Sequence, residues 1–257
     1  MVQLTTRERV DAFWATTLNV EVADLHTPGV HVRSNPPERA DWRGVYVLTF
    51  DKAACVFAPV DLLDLVTPAV ADLDAEAATD PATWHALLGE AVGLAFGPVV
   101  HHYLDDDAGL ADIAAGRRIN PDDAAALAAL RGAVPPDEWV SAGFAAPAAM
   151  LFGIFRDLGS GSGQQLRDLG SGSGQQRMVA AANLTTGPDA ATDVGIVVHP
   201  DERGQGYAIQ IAATATRQAL QMHGIARFRV LATSTSTLAI AARLGFEEYG
   251  RNLAVYL

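Results

Sequence analysis

DVGIVVHPDERGQGYAIQIAATATRQALQMHG, residues 193–224, is the stretch on which the fold turns. A β-rich apolar run from Val194 to Val198 stops at His199-Pro200. It passes through Arg203-Gly204-Gln205-Gly206-Tyr207-Ala208 and opens into a segment whose apolar and small positions Ile209, Ala212, Ala213, Thr216, Ala219 and Leu220 recur at spacings of three and four. That period marks one packed face of a helix. A strand, a glycine loop and a helix in this order present free backbone N–H groups and the positive end of a helix dipole to an anion. Gly204 and Gly206 let a ligand approach the backbone with no side chain in the way. The residues therefore read as a cradle for a pyrophosphate, although ordinary helix starts also use glycine.

Upstream, AAMLFGIF (148–155) and RMVAAANL (177–184) read as strands, and TDVGIVVHP (192–200) continues them. Between the first two, RDLGSGSGQQ occurs at 156–165 and again at 167–176, separated by Leu166. An identical repeat rich in Gly and Ser has no apolar period to bury and is expected to form a flexible loop, 156–176. Its GSGSG resembles a phosphate loop only superficially, because a strand follows it and a phosphate loop opens a helix.

The first 135 residues have a different texture. A helix is expected around Arg7 to Thr17, and GVYVLTF and AACVFAP flank Asp51-Lys52 as the arms of a hairpin. Beyond Pro59 the chain turns to Ala, Leu and Asp. Asp80-Pro81 and Asn120-Pro121-Asp122-Asp123 each place a capping side chain before a proline in a first turn, so helices are expected after both. Pro135-Pro136 ends the last of them. The domain boundary is accordingly expected at 135/136. A mainly helical amino-terminal region with a β-hairpin would precede an α+β domain whose mixed, mostly antiparallel sheet is flanked by helices.

Composition narrows the function classes. Thirty Asp and Glu against eighteen Lys and Arg give a formal charge of −12 with the cations scattered, which argues against a nucleic-acid partner. An acidic balance of this kind serves solubility, and it also suits a site that gathers a cationic amine. No apolar stretch is long enough to cross a bilayer and no secretory leader is legible, so no membrane partner and a cytoplasmic location are expected. Cys55 is the single cysteine and reads as a small buried residue. His101-His102 with Asp105, Asp106 and Asp107 resembles a metal cluster at first sight. Adjacent histidines on a helix diverge, so a solvated helix end is expected there and no metal.

VVHPDERGQGYA resembles the acetyl-CoA signature of the GNAT acyltransferase superfamily, with Arg203, Gly206 and Ala208 at the pattern positions. RFRVLATSTSTLAIAARLGFEEYG (227–250) resembles that family's later block, with Leu244-Gly245-Phe246 as its ending. The resemblance spans roughly the last 110 residues. It implies acetyl-CoA as co-substrate, with the backbone of Ile196, Val197 and Val198 along its pantetheine arm. Arg203, Gly204, Gln205, Gly206, Tyr207 and Ala208 would lie around its pyrophosphate. It also implies direct attack of a neutral amine on the thioester.

Two family positions depart from the pattern. The place of the usual tyrosine, the acid for the leaving thiolate, is Ala241, and that of a frequent asparagine is Ser234. Tyr249 is a remaining phenol in the block, while Tyr256, in the final strand-like run, reads as structural. Asp193 stands where the family often carries a general base, and it also reads as a solvated aspartate at a strand start. His199 lies closer to the loop. The resemblance leads to an N-acetyltransferase for a small-molecule amine, with the first region walling the acceptor site. A non-catalytic or regulatory acyl-CoA-binding module and a protein or peptide acetyltransferase stand beside it. The tryptophans Trp14, Trp42, Trp84 and Trp139 fall outside the signature and are core candidates, one of which could line an acceptor site.

Overall fold

A computed structural model of the protein describes residues 5–36, 41–157, 176–186 and 192–257. In chain order the elements are α1 (Thr6–Leu18), α2 (Val22–His26), β1 (Gly29–Ser34), β2 (Gly44–Phe50), β3 (Ala53–Ala58), α3 (Leu63–Val70), α4 (Ala75–Ala78), α5 (Pro81–Leu88) and β4 (Leu94–Leu104). Next come α6 (Leu110–Ile113), β5 (Arg117–Arg118), α7 (Ala124–Ala133), α8 (Pro136–Ser141), β6 (Met150–Asp157), β7 (Gln176–Thr186) and β8 (Thr192–Val198). The chain ends with α9 (Tyr207–His223), β9 (Ala226–Leu231), α10 (Thr235–Arg243) and β10 (Glu247–Tyr256). The α+β class holds, with largely antiparallel sheet flanked by helices.

Compactness divides the chain into a discontinuous unit, 1–104 with 227–257, and a continuous one, 105–226. This differs from the expected boundary at 135/136, and strand pairing gives the reason. In the discontinuous unit the strand order is β1-β3-β2-β10-β4-β9. β10, the last strand of the chain, pairs antiparallel with both β2 and β4, so the two ends of the sequence share one sheet.

The hairpin of β2 and β3 turns at Asp51-Lys52 as the sequence indicates, with Asp51 at φ 54. Every residue of both strands is buried, which requires cover on both faces. Val45, Val47, Ala54 and Val56 pack with Val66 and Val70 of α3, with Ala78 and with Trp84. The intervening residues face the other way, where Trp14 of α1 meets Phe50 edge to face at 6.4 Å. Alternation at period two sets these two faces. Trp84 is fully buried and donates its indole N–H to the Ala78 carbonyl at 2.9 Å. Burial of so large an apolar side chain stabilises the fold by about 2–3 kcal/mol.

β1 and β4 are additional to the elements read from the sequence. β4 also corrects the reading of His101-His102, which lie within a strand and are buried rather than at a solvated helix end. Their backbone is tied into the ladder with β10, and His101 Nε2 lies 2.7 Å from Asn252 Oδ1.

In the continuous unit the order is β8-β7-β6-β5, all antiparallel. α9 covers one face against β8, β7 and β6. Leu130 and Val134, from α7 and its C-cap, pack with Trp139, Met178, Ala181 and Val197 in a second cluster. The caps read from the sequence are in place. Asp80 accepts from the Ala82 N–H at 2.9 Å, and Asn120 forms a capping box with Asp123. Ile211 and Ala215 join the expected buried face of α9, while Ile209 and Leu220 are only half-buried. Residues 158–175 of the expected Gly/Ser-rich loop lie outside the described residues.

Candidate coenzyme site

The loop after β8 is built from local rules. Pro200–Glu202 forms one 3-10 turn, capped by His199, whose Nδ1 accepts from the Asp201 N–H at 3.2 Å. That bond gives His199 a structural task. Gly204 and Gly206 follow at φ +78 and +83, the left-handed region open to glycine. α9 starts at Tyr207 with Gly206 as its N-cap, and no side chain caps it. Among the described residues, the backbone N–H groups from Gly204 to Ile209 meet no hydrogen-bond partner. A Cβ placed on Gly204 or Gly206 would find nothing within 4 Å. The outcome is an uncapped N-terminus of a seventeen-residue helix facing open space, with donors left over for an anion.

Two acidic residues fix this loop. Glu202, buried at 5% exposure, accepts from Arg156 of β6 at 3.1 Å and from Arg177 of β7. It thereby ties the root of the loop to the ends of two strands. Arg203, the signature arginine, donates to Glu138 of α8 at 2.7 Å. Neither glutamate was found from the sequence. Glu138 lies 65 residues from its partner and Glu202 lies 46 and 25 from its two, and no spacing rule links such pairs.

Ile196, Val197 and Val198 pair with Ala182, Ala181 and Ala180 of β7. Just before them, Gly195 is required by close approach. A Cβ there would lie 1.9 Å from the Ala142 carbonyl and 2.2 Å from Asn183 Oδ1. The end of α8 therefore sits directly against the middle of β8. Asn183 is buried at 1% exposure and its Nδ2 has no partner among the described residues. Asp193 is half-buried and registers with Thr185. It stands five positions before Val198, about 17 Å away along the strand at ~3.3 Å per residue.

Ser234 and Tyr249 belong to the discontinuous unit. Ser234 precedes α10 and donates through its hydroxyl to Thr237 at 2.9 Å. Ala241 is fully buried. Tyr249 donates its hydroxyl to Asp11 Oδ1. Burial, and then that bond, push its pKa well above the usual phenol range. Among the described residues no group of three or more His, Cys, Asp or Glu side chains is placed to hold a metal ion. No described helix is long and apolar enough to cross a membrane.

Residues 163–246 match the model of the acetyltransferase (GNAT) family. This segment is a GNAT acetyltransferase domain. The GNAT match contains β8, the glycine loop, α9, β9 and α10. Solved structures similar to the chain include a GNAT-family protein from Novosphingobium aromaticivorans, at 17% identity and a TM-score of 0.43, covering 64% of this chain and 65% of that one. An acetyltransferase from the GNAT family of Colwellia psychrerythraea is 15% identical, with a TM-score of 0.45 and coverage of 67% and 60%. A GCN5-related N-acetyltransferase from Kribbella flavida is 19% identical, with a TM-score of 0.39 and coverage of 68% and 63%. The chain thus spans less than two thirds of these proteins' own length. No curated protein matches it.

Proposed function

We propose that the protein is an N-acetyltransferase that moves the acetyl group of acetyl-CoA to a primary amine of a small cationic acceptor by direct attack. The observation that carries this reading is the uncapped α9 N-terminus, where Gly204 and Gly206 leave open space before a row of unpartnered N–H groups within a GNAT segment. Acetyl-CoA supplies an activated thioester and an anionic pyrophosphate. The backbone from Arg203 to Ala208 would hold the pyrophosphate, and Ile196 to Val198 would orient the arm. Asp193, about 17 Å along β8 from the loop, is at the far end of the stretch that such an arm would follow. There it would draw a proton from the acceptor ammonium, directly or through a water. The net charge of −12 supports a cationic acceptor.

A second reading, an acyl-CoA-binding module without turnover, is favoured by one specific observation. Ala241 has no proton to give, and the Tyr249 phenol is committed to Asp11 with its acidity lowered. Thiol release from acetyl-CoA, measured against a panel of polyamines, aminoglycosides, amino acids and peptides, separates the two. Turnover with a small amine is expected, and its absence with every amine despite acetyl-CoA binding would favour the module. A response confined to peptides would instead point to a protein or peptide acetyltransferase. Asp193→Asn preserves size but takes no proton. It is expected to lower turnover by roughly 10²- to 10⁴-fold at neutral pH, with acetyl-CoA affinity nearly unchanged and partial rescue at higher pH. Wild-type turnover in that variant would remove Asp193 from the mechanism.

A further inference from the structure

The discontinuous unit contains a polar site that acetyl transfer does not use. Asp11, on the inner face of α1, is buried at 8% exposure. Its Oδ1 accepts from the Tyr249 hydroxyl and lies 2.8 Å from His26 Nε2. Its Oδ2 has no hydrogen-bond partner among the described residues and is not sealed from solvent. Behind this carboxylate stands a stiff aromatic wall. Tyr249 packs edge to face on Phe50 at 5.1 Å and on Tyr103 at 5.6 Å, and Trp14 donates to the Tyr103 hydroxyl at 3.1 Å.

In front lies a cleft of about 350 Å³ lined by Arg7, Asp11, His26, Phe50, Asp51 and Lys52. Arg7 stands one helical turn before Asp11, with its guanidinium 5.8 Å from the centre of the Tyr249 ring. Lys52 is on the turn of the β2–β3 hairpin. Neither Arg7 nor Lys52 has an ion-pair partner among the described residues. The cleft therefore has the Asp11 carboxylate at its floor, with the cationic Arg7 and Lys52 and the carboxylate of Asp51 in its lining.

We propose that this cleft binds a compact zwitterion of the amino-acid type, its ammonium on Asp11 Oδ2 and its carboxylate between Arg7 and Lys52. A simple cation would meet Arg7 and Lys52, and a simple anion would meet the buried carboxylate. Only a ligand carrying both charges a short distance apart offsets each of them. This inference does not rest on acetyl transfer, and its test contains no acetyl-CoA.

The test is isothermal titration of the full chain with the standard free amino acids. For the best binder, the matched decarboxylated amine and the matched deaminated acid are titrated too. At least one amino acid is expected to bind saturably, with its amine and its acid each roughly 10- to 100-fold weaker, the range for losing one charged hydrogen-bonding group. The Arg7→Ala/Lys52→Ala double variant changes exposed side chains only. It is expected to weaken the amino acid by a similar factor without weakening the amine, whose repulsion by the two cations is relieved. Asp11→Asn should weaken both the amino acid and the amine. Should that variant fail to fold, the double variant alone decides. No saturable binding by any amino acid, equal affinity for the matched amine, or full affinity in the double variant would overturn the proposal.

Discussion

At the scale of the residue, Gly206 combines a positive φ, an N-cap position and open space in front. Acetyl-CoA is expected to raise the melting temperature, because a ligand that binds only the folded state stabilises it by mass action. Gly206→Val should abolish that rise by filling the anion's place and straining the backbone. A full shift in the variant, seen by thermal denaturation, would mean that the cradle lies elsewhere. Cys55 gives a second expectation. Burial pushes its thiol up to about 11 from an ordinary 9.0. Above pH 9 the unfolded chain's thiol ionises while the folded one keeps its proton, so this contribution is complete below 9 and is lost as pH rises toward 11. Over that window the stability gap between wild type and Cys55→Ala should narrow by roughly 2–3 kcal/mol, as denaturant titrations at pH 8 and 11 would measure. The glycine loop was legible because its conformational demand is local. The contacts joining Asp11 to His26 and to Tyr249 bridge 15 and 238 residues, and no motif encodes them.

At the scale of the element, the strands that frame the Gly/Ser repeat pair as far as Asp157 and Gln176, with one register shift between Ile154 and Phe155. Because the two copies are identical, deleting 166–176 puts Gln165 in the place of Gln176, and the chain then runs into Arg177 as before. Loop-closure entropy depends only weakly on length, so stability should change by about 1 kcal/mol or less. Coenzyme binding should persist. Unfolding or lost binding after this deletion would assign a structural task to the second copy. The β2–β3 hairpin and the α5 and α7 starts were readable because turn and cap chemistry is carried by adjacent residues. β4 was not. Its run LAFGPVVHHYL carries a Gly-Pro pair and two histidines, which read as interruptions in a linear sequence. In the fold, β10 and β9 lie on either side of it and decide its conformation.

At the scale of the whole molecule, the expected cut at 135/136 would remove both neighbours of β10 from the carboxy-terminal piece. Residues 136–257 alone would keep the GNAT segment but lose β2 and β4, leaving β10 with two unpaired edges. That fragment is expected to be aggregation-prone and to lack the dispersed amide spectrum of the full chain. A well-dispersed monomeric spectrum from 136–257 would show that the last strand does not need its partners. The difference has a physical source. The change in composition near Pro135 marks where helices give way to strands, whereas compactness follows which strands pair.

This pairing has a consequence for synthesis on the ribosome. The continuous unit, 105–226, is fully emerged while the sheet of the other unit still lacks β10. Until β10 leaves the exit tunnel, β2 and β4 have been made without the strand that lies between them. The nascent chain thus carries two waiting strand edges for the entire time that residues 105–246 are translated, a period of exposure in which a passing chaperone or a second nascent copy finds a ready template. A stop codon just before Glu247 would spare every other strand and still leave that sheet open at its middle.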